Sequence, residues 1–173
     1  MIRAARLDPA LYDEVKRDPG ALLQAVVVVV LSAVATGIGF GQGDLGLIAM
    51  GMFFALIGWC LTAYLCWFIG TKFLPEPETD ATPADLLRAI GFANSPGIVR
   101  MLAVVPELRI AVIVATTVWM LCATVVAIRQ GLSYRSTGRA VGVYVVIQII
   151  LVPLVLLLAN PETPGSPGAP VSP

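Results

Sequence analysis

The chain has 173 residues, 58% of them hydrophobic and 13% charged, with a mean hydropathy of +0.89 and a formal net charge of zero. A soluble domain carries about a quarter charged residues, so this balance excludes the soluble globular class and places the chain among integral membrane proteins. No basic block is present, which excludes nucleic acid as a partner, and the absence of histidine removes the commonest metal ligand, general base and neutral-pH proton switch.

Residues 1–20 read as a cytosolic N-terminal segment. Within "LDPALYDEVKRD", Leu7, Leu11, Tyr12 and Val15 recur at helical spacing among charges. That pattern predicts a short amphipathic helix lying on the membrane surface. Asp8-Pro9 is its start signal, with Asp as N-cap and Pro at the first helical position.

A bilayer core of about 30 Å needs roughly 20 apolar residues in helix. Ala21–Phe40 meets that need without a charge. The run also continues past the "AVA" at Ala33–Ala35, which argues for a span rather than a cleaved leader. A tight turn, "GQGD" (Gly41–Asp44), leads to a second span over Leu45–Gly70. The polar, acidic connection "PEPETDATPAD" follows. Ile110–Ile128 and Ala140–Ala159 are two further apolar runs of spanning length. The tail 160–173, rich in Pro, Gly and Ser, cannot bury a core and is expected to be disordered with polyproline character.

The third span, Arg88–Pro106, is broken at Asn94-Ser95-Pro96-Gly97. Thr82-Pro83-Ala84-Asp85 predicts a helix start, and that helix can run to about Ala93. Ser95-Pro96 repeats the signal, so a second helix can run to Val105, where Pro106 ends it. Pro96 lacks an N–H and clashes with the carbonyl of Phe92; Gly91 and Gly97 add freedom on either side. Freed backbone groups cannot face lipid, so a kinked span should pack inside the bundle. Arg100 can snorkel toward the outer edge and pair there with Glu107. Two readings of the break stand: a packing device with a snorkelling arginine, or a polar site of the kind broken membrane helices host.

Lysines and arginines flank the cytoplasmic ends of spans. Five crossings with the N-terminus cytoplasmic and the C-terminus outside put nine cations inside, leaving only Arg100 and Arg109 outside. A re-entrant hairpin over Arg88–Pro106 would instead move Arg129, Arg135 and Arg139 outside, so five crossings are favoured. Small residues spaced four apart predict close helix contacts. Such positions include Gly37 and Gly41 in the first span, Gly58 in the second and Gly142 in the last, within the chain or between copies.

The remaining chemistry is sparse. Apart from the segment with Arg100, the spans carry no charge. Without histidine, serine or metal-dependent intramembrane hydrolysis lacks its usual base and ligands. No phosphate-cradling loop occurs in strand–helix context. Cys60, Cys66 and Cys122 lie in apolar runs and read as small hydrophobes. No catalytic, cofactor or metal residues are therefore assigned.

"DPGALLQAVVVVVLSAVATGIG", the run Leu86–Gly97, Trp119 and Arg129-Gln130 together resemble the Yip family of small membrane proteins, most closely its short prokaryotic members, over roughly residues 18–159. The resemblance implies an all-α bundle of five transmembrane helices with a cytosolic N-terminus in the cell membrane. It also implies a non-enzymatic role in binding partner membrane proteins or organising the membrane. The long cytosolic N-terminal region of the eukaryotic relatives is missing, which weakens the implied binding of small GTPases. The second functional reading is a small permease or channel using Asn94–Arg100.

Overall fold

A computed structural model describes Arg3, residues 7–40 and residues 44–159. The expected disorder of the tail 160–173 and the packing role of Gly41 lie outside the described residues. In chain order the described elements are α1 (Pro9–Arg17), α2 (Ala21–Gly39), α3 (Leu45–Lys72), α4 (Pro83–Ala93), a 3-10 segment (Ser95–Val104), α5 (Arg109–Gly131) and α6 (Thr137–Ala159). No strand occurs among the described residues.

Among the described residues, four helices are long and apolar enough to cross a membrane: Ala21–Gly39, Leu45–Lys72, Arg109–Gly131 and the Thr137–Leu157 part of α6. The starts follow from local capping. Asp44 accepts from the amides of Gly46 (2.6 Å) and Leu47 (3.3 Å), opening α3. Thr82 and Asp85 form a reciprocal capping box, with the Thr82 amide 2.8 Å from Asp85 Oδ2, opening α4.

The segment between α4 and α5 departs from expectation. Ser95–Val104 is a 3-10 helix and not the second α-helix that the Ser-Pro start suggests. Ten residues of 3-10 are uncommon. At the junction the Gly97 amide donates to the Asn94 carbonyl (2.9 Å), and Asn94 Nδ2 donates to the Ile90 carbonyl at 2.9 Å. The local reason is Pro96, which removes an amide and excludes the α-helical carbonyl four residues back. The tertiary reason is packing against α2. With three residues per turn, Gly97, Arg100 and Ala103 stack on one line, and that line meets α2.

A Cβ added to Gly91 would lie 2.6 Å from Ala25 Cβ, one at Gly97 would strike Ser32 Oγ, and one at Gly39 would strike the Arg100 carbonyl oxygen. Contacts therefore climb α2 from Ala25 to Ser32 to Gly39 as the partner climbs from residue 91 to 97 to 100. The two run side by side in the same direction. A 3-10 rise of about 2.0 Å per residue carries ten residues about 20 Å, against about 15 Å as α-helix.

One end of the bundle is tied by polar contacts. Lys16 Nζ donates to the Asp80 carbonyl and to Ser133 Oγ, both at 2.7 Å. Arg88 donates to the Lys16 carbonyl and to Asp85 Oδ1. The Arg135 amide donates to Glu76 Oε2 (2.7 Å), Arg135 pairs with Glu78, and Arg139 pairs with Glu76 at 3.6 Å. The acidic connection after α3 thus meets the arginine-rich turn after α5. Here α1 also corrects an expectation. Its apolar face, Leu11, Tyr12 and Val15, is buried against α4 and α5, so the bundle covers it in place of a membrane surface. The anchors from Lys16 and Arg88 hold it there.

Tyr134, only 4% exposed, donates its hydroxyl toward the Leu74 carbonyl (2.7 Å) and the Gly70 carbonyl (2.8 Å) at the end of α3. Burial, reinforced by the Glu76 charge, pushes this phenol up from 10.0 to about 12. An acid whose folded pKa is raised is favoured neutral in the fold. Its contribution is complete below pH 10.0 and is lost as pH rises to about 12, because the unfolded chain ionises first. Melting temperature in micelles should fall more steeply across that window for the wild type than for Tyr134→Phe, with a difference of up to about 1.4 kcal/mol per pH unit. Parallel curves would show that Tyr134 is not the group responsible.

Candidate functional site

A cleft of about 1050 Å³ opens between α3, α5 and α6. Its wall is mostly aliphatic, from Ala55 on α3, Leu121 and Val125 on α5, and Val141 to Val152 on α6. Polar atoms enter it at few points: Thr62, Thr117, Thr124, Tyr144, Gln148, Asn94 and Arg100. A second cavity of about 280 Å³ lies on the α2 side. The two share Ala55, Asn94, Arg100 and Met120.

The six residues of the sequence-predicted break divide between two environments. Asn94 and Arg100 reach the cavities. Gly91, Ser95, Pro96 and Gly97 are buried. Gly91 meets Ala25 and Trp59 across the crossing with α2 and α3, and Gly97 lies against Ser32 and Met120. Ser95 Oγ is buried without a hydrogen-bond partner among the described residues.

Arg100 does not pair with Glu107. Its Nε donates to Thr116 Oγ1 (3.3 Å) and its Nη2 to Thr117 Oγ1 (3.1 Å), both on α5. Glu107 is exposed at the turn before α5, where water solvates a carboxylate better than a partly buried partner would. Thr116 Oγ1 is itself fixed, donating to the Val112 carbonyl at 2.7 Å. The guanidinium is thus held by two uncharged hydroxyls.

Within the chain, the predicted helix-packing glycines divide. A Cβ on Gly37 would sit 3.0 Å from Ile48 Cγ1, but at Gly58 and Gly142 nothing lies within 4 Å. Gly58 faces the open cleft and Gly142 has no packed neighbour within the chain, because spacing alone does not bring a second helix onto a small residue. Close approach occurs instead at Gly39, Gly70, Gly91, Gly97 and Gly131. On α2 the contacts follow Ala25, Ser32 and Gly39, small side chains with a seven-residue period and not a spacing of four. Of the cysteines only Cys66 is buried; Cys60 and Cys122 face outward, so the packing role belongs to Cys66 alone.

The model of the Yip1 domain matches residues 7–158. The chain belongs to the Yip1 domain family. The matched part of this Yip1 domain begins before α1, in keeping with the burial of that helix against α4 and α5. Its apolar helices make it a multi-pass membrane protein. No curated protein and no solved structure matches the chain.

Proposed function

We propose that this Yip1-domain chain crosses the cell membrane five times and serves as a non-catalytic binding protein whose cleft receives an apolar component of the bilayer. The fifth crossing is α4 and the 3-10 segment together, kinked at Asn94–Pro96. About 16 Å of α-helix and about 20 Å of 3-10 suffice for a core of about 30 Å. Support comes from the ends of the bundle. α1, the connection after α3 and the turn after α5 are bonded together, whereas the 3-10 segment packs on the last residue of α2. The first end carries most of the cations, so the N-terminus is assigned to the cytoplasm and the C-terminus to the outside.

The single observation that carries the binding role is the cleft of about 1050 Å³ with its aliphatic wall. A site of that size and character suits an acyl chain better than a hydrophilic solute. The bilayer is the assigned partner; other membrane proteins or a second copy would be organised around that occupant. Gly58→Leu tests this, since the added side chain enters open space and obstructs the cleft at its α3 wall. A photoreactive diacylglycerol in maltoside micelles should label the wild type on α3, α5 or α6, and Gly58→Leu about tenfold less, with melting unchanged. Equal labelling of both proteins would end the proposal.

A second reading, permeation, is favoured by the two cavities meeting at Asn94, Arg100 and Met120. Solute flux in liposomes that Met120→Trp abolishes without loss of folding would support it; no flux across a broad solute panel would count against it.

A further inference from the structure

We propose that Arg100 is the headgroup contact for a membrane phospholipid, its phosphate on the guanidinium and its acyl chain along the cleft. The inference rests on the cleft reading above and names the class of its occupant.

Arg100 carries a charge with no carboxylate partner among the described residues. A guanidinium has five N–H donors. The Thr116 and Thr117 hydroxyls engage two nitrogens, Nε and Nη2. Among the described residues, Nη1 and the second Nη2 hydrogen have no partner. No Asp or Glu pairs with Arg100 among the described residues, although the other side-chain ion pairs of the fold join Arg3, Arg17, Arg88, Arg135 and Arg139 to carboxylates. A partly buried cation held only by hydroxyls favours an anion. A phosphate fits the remaining donors, because its oxygens accept the parallel N–H pair of a guanidinium.

The shape of the cavity selects the source of that phosphate. On α6 the wall runs from Val141 to Pro153, about 18 Å of helix. That length of mostly apolar trough would be wasted on free phosphate. Arg100 lies at the end where α2 finishes, since its carbonyl packs on Gly39. Its partner Thr116 is about 10 Å along α5 from Arg109. A charge near the bundle edge above an apolar trough matches the amphiphile that the bilayer supplies, with headgroup outward and chain inward.

The test uses the full chain in phosphate-free maltoside micelles with two photoreactive probes of identical acyl chains, phosphatidylglycerol and diacylglycerol. The wild type should label about tenfold more with the phospholipid, the effect of one charge-assisted contact. Arg100→Gln should fall to the diacylglycerol level, and Arg100→Lys should retain an intermediate preference. Gly58→Leu should lose both probes. Equal labelling of the wild type by the two probes overturns the proposal without needing any variant to fold. So does an undiminished phospholipid preference in Arg100→Gln. Millimolar inorganic phosphate that abolishes the preference would make this a site for a free anion, and would equally overturn the lipid assignment. If Gly58→Leu alone loses both probes while Arg100→Gln changes nothing, the cleft reading survives and the Arg100 assignment does not.

Discussion

Gly39→Ala is expected to destabilise the protein by about 3 kcal/mol, the upper range for overpacking a filled interior, although it adds one methyl group at a helix end. The new Cβ would strike the Arg100 carbonyl oxygen and sit 3.3 Å from Ala103 Cβ. A backbone oxygen cannot rotate away, so either α2 or the 3-10 segment must shift. Gly97→Ala meets a Ser32 hydroxyl instead, which can turn, and should cost less. Gly58→Ala and Gly142→Ala, in open space, should be neutral or gain up to about 1 kcal/mol from helix propensity. Unfolding in mixed micelles ranks the four variants. If Gly39→Ala is as stable as Gly58→Ala, the register of α2 on the 3-10 segment described above is wrong.

Arg88→Ala should cost about 3 kcal/mol, and for a different reason. The Arg88 and Asp85 side chains are only 12% and 16% exposed. Removing one partner of a buried pair strands the other charge, and that loss exceeds what the intact pair contributes. Arg88 also donates to the Lys16 carbonyl, so the same change releases α1 from α4. Two measurements separate these effects. Asp85→Asn in the Arg88→Ala background should recover part of the loss, a coupling that a double-mutant cycle reads directly. Amide hydrogen exchange should rise in α1 while α5 stays protected. Unchanged protection of α1 would mean that Leu11, Tyr12 and Val15 hold the helix without this anchor.

Both predictions concern places where local signals ran out. The Asp8 cap and the Thr82 start were legible and cap their helices, because a cap acts over three residues and is written in adjacent ones. The ends of the broken segment were equally legible, since Pro96 and Pro106 act on their own backbone. Its helical type was not. α-Helix and 3-10 differ little locally, and the choice falls to the surface of α2 against which Gly97, Arg100 and Ala103 must stack.

The candidate site shows the same division. Asn94 and Arg100 stood out as polar residues in an apolar run, which needs no partner to notice. The Thr116 and Thr117 hydroxyls that hold Arg100, and the cleft itself, could not be read, because they depend on how α5 and α6 cross α3. Small residues at helical spacing recur throughout such helices, so spacing alone does not say which of them touch. The amino-acid sequence by itself determined the membrane class, the apolar runs, the caps and the family, all properties of chain length, composition and neighbours within a turn. The tertiary structure alone decided that Gly39 and Gly97 are filled while Gly58 and Gly142 are open, that α1 is covered, and that Arg100 faces hydroxyls. Those outcomes are set by contacts between residues far apart in the chain, which leave one small residue of a helix filled and make another, Gly58, the wall of a cavity.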